Sequence, residues 1–229
     1  MDAFIITIDG PAGSGKTTLA KLIAQRLKLS LLETGAFYRA ITYFFMQNGC
    51  HKINDFTSNE EIINKLQDIF SKIKVEISLT GTTLYYQGKP LKEELRTKEV
   101  EGKVSEFSAH PTVREFVTGL LRDLVKDKKV ITEGRDMGSI VFPFAKIKIF
   151  LTADLNERAK RRWKDYPERD LEEIKHNLML RDELDTQREV APLVIPEGAI
   201  IIDTTNLSID EAVEKIISII NERLCDKMK

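Results

Sequence analysis

The segment Gly10-Pro11-Ala12-Gly13-Ser14-Gly15-Lys16-Thr17 constrains this chain more than any other. It follows the apolar run Phe4-Ile5-Ile6-Thr7-Ile8 and has the spacing G-x-x-x-x-G-K-[ST] of a P-loop. A buried strand brings the chain to a tight turn, and glycines let the backbone wrap a phosphate. Successive N–H groups then form an anion nest, and the helix that follows adds the positive end of its dipole. Lys16 reaches the outer phosphates, and the Thr17 hydroxyl suits Mg²⁺. Leu19, Leu22, Ile23 and Leu27 recur at helical spacing just after the loop, which supplies the strand–loop–helix setting the motif needs. The chain is therefore expected to bind a nucleoside triphosphate.

At 229 residues there is room for one main domain with a small insertion. Lys and Arg number 35 against 36 Asp and Glu, a formal charge of -1, so no global basic field gathers nucleic acid. Cys50 and Cys225 form no metal-spaced pair. They point to a reducing compartment and to two buried, free thiols. No apolar stretch has membrane-spanning length. The start, with Asp2 and then a core strand, does not read as a secretory leader, so the expected location is cytoplasmic, with no membrane partner.

Five short apolar runs alternate with helical patterns: Phe4–Ile8, Leu31–Leu32, Val130–Thr132, Ile147–Leu151 and Ile200–Ile202. Such runs predict a parallel sheet buried on both faces in a doubly wound α/β domain. The ligand crevice should lie beyond the carboxyl ends of the strands. Asp9, Glu33-Thr34-Gly35, Glu133-Gly134-Arg135-Asp136 and Asp203-Thr204-Thr205 occupy those ends and should converge there. Ser208 with Glu211 makes a capping box before a helix whose apolar face is Ile209, Ala212, Val213, Ile216 and Ile220. Asp154 with Glu157 is a similar start signal. Between about 50 and 108 the alternation breaks. Ile62, Ile63, Leu66, Ile69 and Phe70 predict a helix; Val75, Ile77 and Leu79, a turn at Thr80-Gly81-Thr82, and Leu84-Tyr85-Tyr86 predict an antiparallel hairpin. A hairpin does not belong in a parallel sheet, so this region is expected as an insertion at the edge of the crevice.

Charged groups concentrate near the expected crevice. Arg39 follows Gly35 and is suited either to a second phosphate or to a solvated helix face. Glu133-Gly134-Arg135-Asp136-Met137-Gly138 sets two acids and an arginine between glycines at a strand end. Its Glu133 can orient water on Mg²⁺ or assist Thr17. Arg158, Arg161 and Arg162 share one helix face; Arg181, Asp185 and Arg188 share another. Pro167 divides the two helices, and together they predict a lid that closes over a transferring phosphoryl group and excludes water. No Asn-Lys-x-Asp guanine reader and no clear D-x-x-G switch occur. A kinase of a small substrate is favoured over a switch or motor. A nucleotide-binding regulatory module and an RNA-binding protein are the readings from other classes.

The chain resembles the bacterial cytidylate kinases (CMP/dCMP kinases) over essentially its whole length. The carriers are Ile8 to Lys16, Thr34-Gly35-Ala36-Phe37-Tyr38-Arg39, Leu95-Arg96-Thr97-Lys98-Glu99-Val100, Gly134-Arg135-Asp136-Met137-Gly138, Val141-Phe142-Pro143, Arg181-Asp182 with Asp185 and Arg188, Val190-Ala191-Pro192-Leu193, and Asp203-Thr204-Thr205. The resemblance implies a P-loop NTPase fold: a five-stranded parallel sheet with helices on both faces, a small antiparallel β-containing insertion (51–108) and a helical lid (157–189). The core would be 1–50, 109–156 and 190–229. It implies phosphoryl transfer from ATP to CMP or dCMP with Mg²⁺. A monomer is expected because the fold accounts for each apolar face, and no nucleic-acid partner is expected because positive charge is confined to lid-like positions in a near-neutral chain. ATP would lie on Gly10, Pro11, Ala12, Gly13, Ser14, Gly15, Lys16, Thr17 and Thr18, with Thr17 toward the metal. Thr34, Arg39, Arg135 and Arg188 would hold the acceptor phosphate; Ser105, Arg114 and Asp136 would read the cytosine; Arg181 and Asp185 would contact the pentose. Arg158 and Arg162 would reach the transferring group from the lid. Lys16, Arg135, Arg158, Arg162 and Arg188 are the expected catalytic set. Thr34 stands where the family often has Ser, and Glu33 and Glu133 where Asp often occurs.

Overall fold

A computed structural model describes residues 3–226. In chain order the elements are β1 (Phe4–Asp9), α1 (Lys16–Leu27), β2 (Ser30–Glu33), α2 (Gly35–Gln47), α3 (Asn59–Ser71), β3 (Ile73–Ser78), β4 (Gly81–Tyr86), β5 (Lys89–Pro90), α4 (Lys98–Ala109), α5 (Pro111–Leu124), β6 (Lys129–Gly134), β7 (Ile147–Thr152), α6 (Leu155–Asp165), α7 (Leu171–Thr186), β8 (Ile200–Asp203) and α8 (Ile209–Asp226). All five apolar runs become strands of one parallel sheet in the order β2-β6-β1-β7-β8. Because every strand points the same way, Asp9, Glu33, Gly134 and Asp203 end along one edge.

One face of the sheet packs on α1 and α8. Ile6, Ile8, Ile23, Leu31, Ile149 and Ile216 meet there, each fully or almost fully removed from water. Burying each contributes about 1.5–3 kcal/mol. The helix α8 starts with the expected reciprocal cap: Ser208 N donates to Glu211 Oε2 at 2.8 Å, and Glu211 N to Ser208 Oγ at 3.2 Å. Ile209, expected on its apolar face, is instead 55% exposed. It is the first residue of the helix. At α6, Asp154 caps the amides of Asn156 and Glu157, whereas the Glu157 carboxylate turns to Arg161 rather than closing a box.

The other face carries α2 and α5, and the 51–108 segment packs onto the same apolar cluster. That segment holds α3, α4 and a three-stranded antiparallel sheet, β3-β4-β5, whose short third strand is an addition to the expected hairpin. The hairpin turn falls at Leu79-Thr80, and Gly81 already begins β4. Aromatic rings bind the parts together. Phe45 of α2 lies 4.7 Å from Phe56 and 5.4 Å from Phe107, and Phe44 lies 4.7 Å from Tyr86. Cys50 is a free, buried thiol, as expected; the Cys225 side chain lies outside the described residues.

Phe45 is fully buried where α2 meets the 51–108 segment. Phe45→Ala is expected to lower unfolding free energy by about 3–5 kcal/mol, read by urea denaturation followed by circular dichroism.

Candidate active site

The loop between β1 and α1 takes its shape from residues that cannot be exchanged freely. Gly15 caps α1 in the left-handed region at φ 89°, and Gly13 has φ 76°. A Cβ on Gly13 would also lie 3.2 Å from the Arg158 Cβ. Ala12, Gly13, Gly15, Lys16, Thr17 and Thr18 line a cavity of about 1150 Å³, large for one ligand and sufficient for two. Gly10, Pro11 and Ser14 do not line it. Ser14 is wholly buried and donates inward to the Pro11 carbonyl at 2.9 Å. Lys16 Nζ bends onto the same carbonyl at 2.6 Å. Burial, then Arg135 and Arg181, push the Lys16 amine well below its ordinary 10.5, against Glu133 and Asp9. The site thus holds a cation that is short of counter-charge.

Across the cavity lie the remaining arginines. Arg39 projects from the first turns of α2 with a buried Nε that has no partner, and burial with Arg96 and Arg162 lowers its pKa. Thr34, just before α2, donates to the Glu133 carbonyl at 3.1 Å and so ties the ends of β2 and β6 together. On α7, Asp185 is buried and divides its carboxylate between Arg135, at 2.6 Å, and Arg188. Against the cost of burial, Arg135 and Arg188 hold Asp185 below the usual carboxylate range. This fastening of two arginines was not foreseen from the sequence. Arg181 opens into the cavity; desolvation by the walls, then Arg135, Arg39 and Arg162, push it down to about 10 despite Asp185. Such crowding of like charges in a cleft marks a candidate anion site.

At the far end Arg114 and Asp136 pair, both buried. Arg114 also donates to the Ser108 carbonyl at 3.0 Å and lies 5.5 Å from the Tyr38 ring. Ser105 borders the same end. Asp136 is aimed by its own loop. Asp9, at the tip of β1, accepts from the amides of Met137 at 2.8 Å and Gly138 at 2.7 Å, which pins the π-helical turn after Asp136. Burial pushes Asp9 up to about 6, although those two amides favour its ionised form. A Cβ on Gly138 would fall 2.8 Å from Thr7 Oγ1 and 3.0 Å from Pro196, so this close approach requires glycine.

The helices α6 and α7 form the expected hairpin, with α6 ending at Asp165 ahead of Pro167. Arg162 borders the cavity and stacks on Tyr166 at 4.6 Å. Arg158 does not border the cavity, contrary to its expected place. Its guanidinium is turned behind the P-loop onto the carbonyls of Ala153 and Ala12, each at 3.0 Å. Its neighbour Glu157 lines the cavity, so it is the side-chain direction, fixed by those two carbonyls, that keeps Arg158 out of it. Arg161 faces the cavity instead, donating to the Thr204 hydroxyl at 3.1 Å and its carbonyl at 2.6 Å. With Thr204, Leu207 and Ile209 it walls a less charged end beside α1. The exposure of Ile209 is explained by this wall. Arg96 also reaches the cavity, near Arg39. Its place in the Leu95–Val100 motif was the available signal. Glu33 anchors the hairpin to β2: its carboxylate accepts from Thr82 N at 3.1 Å, while Glu33 N donates to Thr82 Oγ1 at 3.0 Å.

The cavity therefore joins a phosphate nest, a ring of arginines and a buried Arg–Asp pair. A family model described as cytidylate kinase matches residues 6–222. Curated proteins named cytidylate kinase align over nearly the full chain. The protein of Geobacillus sp. (strain WCH70) is 42% identical over 223 residues, 96% of this chain and 97% of its own. That of Fervidobacterium nodosum is 41% identical over 222 residues, covering 95% and 96%. That of Thermosipho melanesiensis is 39% identical over 222 residues, covering 95% and 97%. With a nest, an arginine ring and a buried Arg–Asp pair in one crevice, and this similarity from end to end, the chain belongs to the cytidylate kinase family.

Proposed function

We propose that the protein transfers the γ-phosphoryl group of ATP to CMP or dCMP, giving ADP and CDP or dCDP. The observation that carries this reading is the continuity of one electropositive cavity from the P-loop to the Arg114–Asp136 pair. ATP phosphates lie on the loop with Lys16, and the adenine on the Arg161–Thr204–Ile209 wall. The acceptor phosphate is taken by Arg39, Arg135 and Arg188 with Thr34, its pentose by Arg181 and Asp185, and its base by Ser105, Arg114 and Asp136. The segments 51–108 and 157–189 serve as acceptor-side insertion and lid.

Cytosine presents an exocyclic amine, which a carboxylate accepts; uracil presents a carbonyl there and would face Asp136 with lone pair against lone pair. The nucleophile is an oxygen of the acceptor phosphate, already anionic, so no general base is needed. It attacks the γ-phosphorus as the bond to the β-bridging oxygen breaks. The arginines neutralise charge on both sides and hold the two nucleotides in line. The Thr17 hydroxyl and Glu133 carboxylate, both on the cavity wall, are hard oxygen donors that fit Mg²⁺. Bound there with ATP, Mg²⁺ supplies charge neutralisation at the outer phosphates. We further assign the enzyme to pyrimidine nucleotide metabolism as a cytoplasmic monomer; no described helix is long and apolar enough to cross a membrane.

Coupled ADP production is expected to be strong with CMP and dCMP, weak with UMP, and absent after chelation of divalent cations. Asp136→Ala is expected to lose about tenfold to hundredfold in kcat/KM with CMP, the cost of one hydrogen bond to a charged group, and to lose its preference over UMP. Equal turnover of UMP by the unaltered protein would rule out Asp136 as the base reader.

The depressed amine of Lys16 gives a second test. In the free protein its pKa lies well below 10.5, and a bound polyphosphate raises it again. The complex therefore holds more protons than the free protein below 10.5, so ATP binding takes up protons and weakens as pH rises through that interval. Calorimetry at alkaline pH in buffers of different ionisation enthalpy is expected to show this uptake, and Lys16→Met to reduce it, with Arg181 supplying a remainder only near pH 10.

A further inference from the structure

Helix α7 carries an acid with no contact to the arginine ring. Asp182 sits between Arg181 and Asp185, but its carboxylate points to the outside of the P-loop. Oδ1 accepts from the Ala12 amide at 3.2 Å, and Oδ2 pairs with Arg158 Nη1 at 2.5 Å. The same nitrogen of Arg158 donates to the Ala12 carbonyl at 3.0 Å, and its Nε donates to the Ala153 carbonyl. Both backbone polar groups of Ala12 are thus held, one by each member of an ion pair. Gly13 follows directly and rests against the Arg158 backbone and Cβ.

The arrangement also bears on stability: Arg158 is buried, the Asp182 side chain is 22% exposed, and Ala12 packs with Ala159, Ile174 and Leu178. Removing one partner leaves the other charge unpaired, so melting temperature must be read beside the rate. Beyond that, the pair fixes direction. The N–H groups after Ala12 form the donor nest, while Asp185, one helical turn past Asp182, holds Arg135 and Arg188 on the acceptor side. Donor loop and acceptor arginines are therefore referred to one helix. In-line transfer is sensitive to such registration: a misplacement of about 1 Å costs about a hundredfold in rate.

We infer that Asp182, which holds the Ala12 amide directly and the Ala12 carbonyl through Arg158, is a positioning residue for phosphoryl transfer that locks the donor phosphate nest to the acceptor-holding helix. The inference rests on the kinase reading above. Steady-state kinetics, acceptor-free ATP hydrolysis and melting temperature of Asp182→Ala, Asp182→Asn, Arg158→Lys and the double variant Asp182→Ala/Arg158→Lys test it. Asp182→Ala is expected to lower kcat about thirtyfold with the acceptor KM held within about threefold, and to raise ATP hydrolysed per acceptor phosphorylated. Asp182→Asn keeps an oxygen for the Ala12 amide but turns a donor toward Arg158, so it is expected to recover kcat only in part, to within about tenfold of the unaltered enzyme. The double variant is expected to be no slower than the worse single one, because either change breaks the same clamp.

A kcat for Asp182→Ala within about twofold of the unaltered enzyme overturns the inference. So does an equal loss in the Ala and Asn variants that tracks melting temperature. If Asp182→Ala does not fold, Arg158→Lys carries the comparison: a single ammonium cannot span Ala12, Ala153 and Asp182, and an unchanged kcat there is equally fatal. All ratios are taken on the acceptor the unaltered enzyme uses best. The choice of acceptor then judges the kinase reading, and the variant ratios judge the clamp alone.

Discussion

The structure depends on holding several cations close together with too few anions among them. Lys16, Arg39, Arg135, Arg181 and Arg188 face one cavity in a chain whose formal charge is -1 overall. Left alone, such groups repel, and each pays for desolvation; Lys16 and Arg181 show it in their lowered pKa values. A sheet with all its strands parallel makes the arrangement possible. It delivers five carboxyl ends to one edge, and the covalent scaffold, rather than local attraction, sets where the cations stand. The repulsion that remains favours phosphate, which relieves it.

The acids nearest the cavity act mainly on protein groups. Asp185 spaces Arg135 from Arg188, Asp9 fixes the turn that aims Asp136, Asp182 holds Arg158 against Ala12, and Glu33 ties the inserted hairpin to β2. Asp9 and Ala12 flank the start of the P-loop, one on each side of Gly10 and Pro11. The P-loop is therefore joined, by hydrogen bonds between backbone amides and carboxylates, to the turn after Asp136 and to the helix that carries Asp185. Preorganisation of this kind lowers the rearrangement needed when both substrates are bound.

Much of this was legible in the sequence, and for definite reasons. The strands were visible because buried parallel strands are short continuous apolar runs, as Ile147–Thr152 and Lys129–Gly134 show. The P-loop and the Gly134-to-Gly138 segment were visible because close backbone approach leaves glycine as the only choice. Helical spacing correctly gathered Arg158, Arg161 and Arg162 on one side of α6, but spacing carries no information on which of them meets a carbonyl behind the P-loop. Arg158 leaves its expected place while Arg161 lines the cavity for that reason: the difference is decided by Ala12, Ala153 and Thr204, which no spacing within α6 reveals. Ile209 misled in the same way. An apolar residue in register with a buried face reads as core, whereas Ile209 lines the cavity. The partners of Glu33 and Asp182 are tertiary, and no local pattern announces them.

The central claim is that one cavity holds donor and acceptor phosphates in line at the same time. Calorimetric titration with a bisubstrate analogue, adenosine and cytidine joined through an oligophosphate bridge, tests it most directly. The account predicts one analogue per chain, bound far more tightly than either nucleotide alone, with each nucleotide competing against it. Binding no tighter than that of the better single nucleotide, or two analogues bound per chain, would contradict it.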